Sequence, residues 1–539
     1  MRYSLESYRK ELNEFQWSIP ADYNIVDVVE GHAAEHPDKV AVYWEDGSGN
    51  ERQVTYAELA AAIRRFGSSL IRLGLKKGEP VLHVLPRVPE AFVAQIGTFY
   101  AGGIAVPCSE MLKSKEIAYR ATVSGAKAII ADASTVSAVE TSQEDAELSL
   151  QILIGGERDG WHSFATLAEA QKEILPKVPL KTDDPMTINF TSGTTGSPKP
   201  VVHKHRWLYC HNRITARYWW DASPSDVIWA TTAPGWAKWY WSPIGVALTS
   251  GASQLMYNGR FDADRYLSLI QKHEVTKLCA TPTEYRLIAQ LPDLGHHKLK
   301  LVDALSAGEP LNVEPIEAFR RAFGVTIRDG YGQTESACLV CNHPGLPVKS
   351  GAMGQPTPGP GVTLIDENGN PTKDGGIGEI AVRPDNPAIF DGYWKSPDLD
   401  QEAFSGGWYR TGDLARMDED GYFFFEGRAD DVILTSGYRI GPFEVEDALV
   451  GHPAVVEAAA VAAPHRDRGE IVKAFVILAD GYEASEALKK QLQDHVKSVT
   501  APYKYPRAIA FVDELPKTSS GKIRRAELKR REWEGWDRR

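Results

Sequence analysis

Thr191-Ser192-Gly193-Thr194-Thr195-Gly196-Ser197-Pro198-Lys199 is the stretch whose reading decides the fold. Seven consecutive positions carry a hydroxyl or no side chain, and a proline and a lysine close the run. Such a loop can turn backbone N–H groups and hydroxyls toward phosphate oxygens, with the Lys199 ammonium as a point charge. It is not a Walker A loop. That pattern needs Gly-Lys-Ser/Thr, whereas Pro198 precedes Lys199 and Pro200 follows it. A bare Ser/Gly tract is more often a solvated linker. Met186–Phe190 before it reads as a strand, however, and a Gly/Ser loop leaving a strand reads as a ligand loop.

Three more polar stretches lie downstream. Tyr331-Gly332-Gln333-Thr334-Glu335-Ser336 combines a glycine, side-chain donors and a carboxylate, which suit a carbonyl or phosphate oxygen and a bound Mg²⁺. Tyr409-Arg410-Thr411-Gly412-Asp413 offers one carboxylate able to accept both hydroxyls of a ribose, although a lone Thr-Gly-Asp is more often a surface turn. Pro516-Lys517-Thr518-Ser519-Ser520-Gly521-Lys522 is a second Gly/Ser loop that ends in lysine.

The ground between these loops alternates helix and strand patterns. Thr55 and Glu58 make a capping-box pattern ahead of Leu59, Ile63, Phe66 and Leu70, which share one helix face, and Gly74 marks its stop. Val81–Leu85 reads as a strand, Pro89 opens a helix, and Gly102-Gly103 precedes a buried strand. Asp226–Ala230, Asp262–His273 and Lys277–Ala280 continue the alternation as strand, helix and strand. Such alternation predicts α/β layers with largely parallel sheets. From about 350 to 425 the texture changes to short strands punctuated by Gly and Pro: Val362–Ile365, Gly378–Val382 and Tyr422–Glu426. Beyond Asp430, a helix from Pro442, strands at Val455–Val461 and Ile471–Leu478 and a helix at Ser485–Val499 predict a compact α+β unit. The expected division is a large domain of layered α/β subdomains plus a β subdomain, residues 1–429, and a small mobile α+β domain, residues 430–539.

Of the 539 residues, 43% are hydrophobic and 24% charged, which excludes a mostly disordered chain. The net charge of −12 gives no overall positive field for nucleic acid or an anionic membrane. Five cysteines, odd and sparse, argue against a secreted disulfide scaffold. No stretch reaches the roughly 18 apolar residues of a membrane span. The first residues hold Glu6, Glu11 and Glu14 and no apolar core, so the expectation is no signal or transit peptide and a cytoplasmic location. Cys338 and Cys341 have two-residue spacing, with His343 nearby. Without a second pair they read as a buried strand wall before a zinc site. The basic tail Arg524–Arg531 includes Glu527 and reads as a solvated helix face.

The four loops, in this order and spacing, resemble the core motifs of the adenylate-forming superfamily: acyl-CoA synthetases, luciferases and peptide-synthetase adenylation domains. The resemblance spans essentially the whole chain. It implies MgATP-dependent conversion of a small-molecule carboxylic acid to an acyl-adenylate, then transfer to coenzyme A with release of AMP. By that resemblance the 191–199 loop holds the β- and γ-phosphates. The turn Ala307-Gly308-Glu309-Pro310 and the stretch Asp329-Gly330-Tyr331-Gly332-Gln333 line the nucleotide. Thr334 touches the α-phosphate and carboxylate, Glu335 binds Mg²⁺, and Asp413 holds the ribose. Arg428 and Arg439 contact nucleotide oxygens, and Lys522 bridges carboxylate and α-phosphate during adenylation. Asp430 is the hinge. Ser436, Gly437 and Tyr438 line the CoA channel, with Arg468, Lys497 and Tyr505 beside it.

Gly332 and Trp236 are expected in the acyl pocket. Acetyl-CoA synthetases carry Trp where Gly332 stands, so an open floor is expected here. The stretch from Val201 through the hinge is similar to medium-chain acyl-CoA synthetases, which suggests a medium-chain, branched or aromatic acid. Trp236-Ala237-Lys238-Trp239-Tyr240-Trp241 either walls that pocket or packs the core. A short-chain ligase and an adenylate-forming enzyme with another acceptor remain alternatives. A P-loop kinase, which would release ADP, is disfavoured by the missing Gly-Lys-Ser/Thr. An aminoacyl activator is disfavoured by Ala233-Pro234-Gly235-Trp236-Ala237, where the relatives place an Asp.

Overall fold

The computed structural model describes residues 4–142, 148–170, 173–191, 197–308, 311, 313–372, 375–435, 438–466, 469–501, 503–518, 521–534 and 536. They form two compact units. The first comprises Met1–Thr191, Lys199–Gly361 and Arg383–Glu402; the second comprises Ser192–Pro198, Val362–Val382 and Ala403–Arg539.

The first unit holds two largely parallel sheets. In one, Leu150–Ile154, Ala128–Asp132, Pro80–Val84, Ile104–Cys108 and Pro185–Phe190 run parallel in that spatial order. Pro200–Lys204 closes its edge antiparallel to Pro185–Phe190, so the Thr191–Lys199 loop is the connection of a hairpin. In the other, Val40–Asp46, Ser253–Asn258, Val227–Ala230, Lys277–Ala280, Asp303–Ala307 and Ile327–Tyr331 run parallel. Pro80–Val84, Ile104–Cys108 and Lys277–Ala280 are buried along their whole length, which is why they read as unbroken runs rather than alternating ones.

Local signals reappear as bonds. The Thr55 hydroxyl accepts from the Glu58 N–H, and the Glu58 carboxylate accepts from the Thr55 N–H, starting the helix Tyr56–Arg72. Leu59, Ile63, Phe66 and Leu70 are buried on its inner face. Gly74, at φ 92°, ends it in a left-handed turn. Cys338 and Cys341 are buried in the wall beside Val340–Cys341, their thiols directed at the Val340 and Tyr218 carbonyls. Among the described residues no helix is long and apolar enough to cross a membrane.

Two segments depart from the sequence pattern. His211–Trp220 and Tyr240–Leu248 are wound as π-helix rather than α-helix. Pro243 lies inside the second; it has no N–H to donate and its ring would strike the carbonyl four residues back, so the wider winding relieves it. The result is a dense aromatic wall: Trp219, Trp220, Trp239, Tyr240 and Trp241 are all buried.

The second unit opens with an antiparallel meander, Thr363–Ile365, Ile377–Val382, Trp408–Met417 and Phe423–Arg428. The Gly- and Pro-punctuated strands expected near 350–425 thus group with the C-terminal segment. Beyond them Val455–His465, Gly469–Leu478 and Ala508–Phe511 form the body of a small sheet, against which Pro442–Val450, Glu486–Val499 and Arg525–Trp533 pack. The Ser485 hydroxyl caps Glu486–Val499 by accepting from the Leu488 N–H. The basic tail is that last helix, its arginines paired to Glu527 and Glu446.

Candidate active site

The first unit places its polar loops at strand ends. The base of the 191–199 loop is closed by a mutual pair. Thr191 N–H donates to the Lys199 carbonyl at 3.0 Å, and Lys199 N–H donates to the Thr191 hydroxyl at 3.0 Å. Residues 192–196 lie outside the described set. Lys199 Nζ stands 5.4 Å above the ring centre of Tyr393. The Tyr393 hydroxyl in turn donates to Glu335 Oε1 at 3.0 Å. One phenol therefore ties the lysine of the first loop to the carboxylate of the second. Burial raises the Tyr393 phenol well above its ordinary range, which keeps it a donor.

Tyr331 ends the strand Ile327–Tyr331, and Gln333–Ser336 makes a turn just beyond it. Gln333 N–H donates to the Ser336 hydroxyl and Ser336 N–H to the Gln333 carbonyl. His203 Nε2–H donates to the Thr334 carbonyl at 2.6 Å, while its ring stacks flat on Trp207. Burial lowers His203 to about 3, so it stays neutral and the Nε2–H tautomer is fixed by this bond. Glu335 is almost fully buried, and its carbonyl accepts from Phe390 N–H. One buried carboxylate of this kind would fit a Mg²⁺ held mainly by phosphates and water.

Gly330 and Gly332 owe their identity to close approach. A Cβ on Gly330 would lie 2.5 Å from the Trp219 indole, and one on Gly332 would lie 2.2 Å from that of Trp241. The open floor expected at Gly332 is therefore corrected: Trp241, from the π-helical segment, already fills the space beside it. The 236–241 stretch divides its work. Trp239 stacks on Phe92 in the core, Tyr240 is buried, and Trp236 is half-buried at the head of the short helix Ala237–Trp239. Lys238 reaches into the same wall, its Nζ 4.4 Å from the Trp219 ring centre and 5.6 Å from that of Trp241. Asp329 accepts from the Gly330 N–H at 2.9 Å; desolvation raises its carboxyl well above the usual range, against that bond and the Lys238 charge. Gly308 follows Asp303–Ala307 at φ 101° with nothing within 4 Å of a Cβ. Glu309 and Pro310 lie outside the described residues.

The second unit gathers its own cluster. Asp413 is buried, and its carboxylate meets Arg428 Nη1 at 3.3 Å. Arg428 also donates to the Thr411 carbonyl and, through Nε, to Asp430 Oδ1 at 3.2 Å. Gly412, at φ 72°, lets the guanidinium lie 3.0 Å from where a Cβ would stand. Glu379 fixes this turn from below, accepting from Gly412 N–H and from Nε and Nη2 of Arg410. Lys522 is exposed on a tight turn: Thr518 N–H donates to the Lys522 carbonyl and Lys522 N–H to the Thr518 hydroxyl. Lys497 and Tyr505 meet, with Nζ 4.2 Å from the ring centre, and Arg507 donates to the Tyr505 hydroxyl. Tyr438 and Arg439 lie on the strand Tyr438–Ile440, but their side chains are outside the described set, as are Ser436, Gly437 and Arg468.

Comparison with known proteins identifies the class to which these strand-end loops belong. The family model described as AMP-binding enzyme matches residues 29–394, and the AMP-binding enzyme C-terminal domain matches residues 444–522. The chain belongs to the AMP-binding enzyme family, within the adenylate-forming superfamily and near its medium-chain acyl-CoA synthetases, and is an acid–thiol ligase by class. It is 46% identical over 516 residues to the uncharacterised acyl-CoA ligase YtcI of Bacillus subtilis (strain 168), covering 95% of this chain and 97% of that protein. It is 39% identical over 547 residues to the mitochondrial acyl-coenzyme A synthetase ACSM3 of Mus musculus, covering 98% and 94%. Among solved structures, the anthranilate CoA ligase AuaEII in complex with anthranoyl-AMP is similar at a TM-score of 0.87 and 31% identity, covering 95% of this chain and 98% of that one.

Proposed function

We propose that this enzyme couples a compact carboxylic acid, medium-chain, branched or aromatic, to coenzyme A through an acyl-adenylate. A carboxylate oxygen attacks the α-phosphorus of ATP and pyrophosphate leaves with the broken phosphoanhydride bond. The CoA sulfur then attacks the carbonyl, and AMP leaves with the electron pair of the acyl–phosphate bond. The observation that carries this reading is Tyr393, which ties Lys199 to Glu335 and so joins the two loops that would face the phosphates. Lys199 and the 191–199 loop would hold the terminal phosphates. The Thr334 hydroxyl would orient the α-phosphate and the incoming carboxylate, its backbone pinned by His203. Glu335 would bind Mg²⁺, which supplies charge neutralisation on the phosphates. Asp413 would receive the ribose hydroxyls, with Arg428 and Arg439 on nucleotide oxygens. Lys522, on its exposed turn, would bring a mobile ammonium to charge that develops in the adenylation transition state.

In this reading residues 430–539 form a domain that rotates about Asp430 between the two half-reactions. Ser436, Gly437, Tyr438, Arg468, Lys497 and Tyr505 would meet CoA in the second. The preference for a compact acid follows from Trp241, which occupies the space beside Gly332. The anthranilate ligase among the similar structures agrees with an acid of that bulk. A panel of carboxylic acids assayed for ATP- and CoA-dependent AMP formation tests the proposal. Turnover of four- to eight-carbon or aromatic acids supports it, those lengths being about what one closed apolar pocket discriminates. ADP as product, or an acceptor other than CoA, would replace it.

A further inference from the structure

The strand Phe423–Arg428 and the helix Pro442–Val450 lie on either side of Asp430 in the chain, and the seam between them is closely fitted. Gly441 lies against the end of the strand: a Cβ there would run into the Glu426 carbonyl oxygen. A Cβ on Gly427, which sits at φ 139°, would lie 3.2 Å from Pro442 Cδ. Phe425 and Phe443 pair edge to face, with ring centres 6.2 Å apart. Into this seam project two carboxyl groups, Glu426 from the strand and Glu444 from the helix. Each has a cation from its own side of Asp430. Arg416, on the strand Trp408–Met417, meets Glu426 Oε1 at 2.9 Å, and Lys504 donates to Glu444 Oε2. Glu426 is buried and hydrogen-bonds to Glu444. Two ionised carboxylates at that separation repel, so the pair holds one proton. Burial first, then the Glu444 hydrogen bond and charge, push Glu426 up to about 8, against the Arg416 and Lys504 charges. Neither carboxyl has a part in the chemistry proposed above.

We propose that Glu426 and Glu444 form a proton-dependent latch across the hinge, which holds the C-terminal domain against the strand meander and releases it when the shared proton leaves. The inference rests on the reading of Asp430 as the hinge of a rotating domain. With the proton present, one carboxyl donates its O–H to the other and a hydrogen bond crosses the seam. When the proton passes to water, two like charges face each other in a partly dry interface, where they are poorly screened. Arg416 and Lys504 do not prevent the parting, because each can leave with the carboxylate on its own side of Asp430. The meander carries Asp413 and Arg428, whereas the C-terminal domain carries Lys522. The state of the latch therefore biases which face of that domain meets the nucleotide, and with it the balance between the two half-reactions.

The five native cysteines are buried, so cysteines introduced at exposed positions can be labelled selectively. Asn368→Cys, in the meander, and Lys490→Cys, on the helix Glu486–Val499, carry a fluorophore pair. Energy transfer is read in the full chain, without substrates, from pH 6 to pH 9.5. With both glutamates present, the transfer efficiency should change through an inflection near pH 8. The ratio of joined to parted orientations should fall by up to about tenfold per pH unit above it, the limit for release of one proton. Glu426→Gln keeps a donor toward Glu444 at every pH and should hold the acid-side efficiency throughout. Glu444→Gln should do the same from the other side of the seam, and it reports alone if the first variant fails to fold. A flat response with both glutamates present overturns the proposal, as does an inflection that survives either substitution. Acyl-CoA formation is assayed on the same proteins. A pH-dependent orientation abolished by Glu426→Gln, in an enzyme that forms no acyl-CoA from any acid, would support the latch and remove the function proposed above. Acyl-CoA formation with a flat response would overturn the latch alone.

Discussion

The floor beneath the Ile327–Tyr331 strand end and the turn that carries Lys522 stand on opposite physical terms. The floor is dry, aromatic and interlocked: Trp219 and Trp241 press on Gly330 and Gly332 closely enough that neither glycine can accept a methyl group. The turn is exposed and held by a few bonds between Thr518 and Lys522. A rigid floor can set which acid fits, since overpacked cores resist rather than adjust. An exposed lysine can approach and leave, which suits a group needed in one half-reaction only. Selection and timing are thus assigned to different regions. Asp413 and Arg428 fall between these extremes, a buried carboxylate with a half-exposed guanidinium.

The comparison can be broken most directly at Trp241. Trp241→Ala should cost about 3–5 kcal/mol of stability, since a buried indole is removed beside a glycine that cannot fill the hole. It should also admit longer or bulkier acids. Thermal unfolding together with kcat/KM for an acid series measures both, and an unchanged melting temperature would show that the floor is not interlocked.

Next in size is Lys522→Ala, which should lower adenylation about 10²–10³-fold, the usual effect of removing a charge aimed at the transition state. Thioester formation from synthetic acyl-adenylate and CoA should be spared. Equal losses in both half-reactions would make the turn structural and erase the contrast.

Tyr393→Phe should act through Glu335 and Lys199 rather than on the acid. Losing one bond to a buried carboxylate is worth about 1.5–3 kcal/mol, so the efficiency with ATP should fall roughly tenfold or more. ATP titrations at several Mg²⁺ concentrations would show the loss, and the preference among acids should not move. A changed acid preference with normal ATP dependence would sever the link between the two loops.

The smallest effect concerns pH. Burial, and then the neighbouring Glu444, push Glu426 up to about 8 against the Arg416 charge. A carboxyl raised on folding binds a proton that the unfolded chain has released. Its contribution is full below the ordinary carboxylate range and is lost as pH rises toward about 8. Glu426→Gln should flatten that slope by about 1 kcal/mol, the Arg416 and Lys504 charges opposing the rest of the shift. Melting temperatures from pH 5 to 9 follow it, and a wild-type slope of opposite sign would exclude proton uptake by Glu426 on folding. Glu45 behaves inversely. Burial alone would raise it, but hydrogen bonds from Lys272 and His273 and the Arg265 charge hold it below its usual range, so its contribution is lost on acidification.

Much of this was legible in the sequence because it is local. Caps, strand runs and the four loops announce themselves within a few residues, as Thr55 with Glu58 and Ser485 with Leu488 do. What escaped is what depends on distant partners. Tyr393 reaches Glu335 across 58 positions and His203 reaches Thr334 across 131, with nothing nearby to mark either residue. Gly332 was legible as a special position and the 236–241 stretch as a candidate wall, but not which of its aromatics meets Gly332.

The central claim is that the acid's own oxygen becomes part of AMP. The direct measurement is turnover with a carboxylic acid labelled with ¹⁸O in both carboxylate oxygens, followed by mass spectrometry of the products. Attack of the carboxylate on the α-phosphorus predicts one labelled oxygen in each AMP and none in pyrophosphate. Unlabelled AMP, or label in a phosphate released with ADP, would contradict an acyl-adenylate.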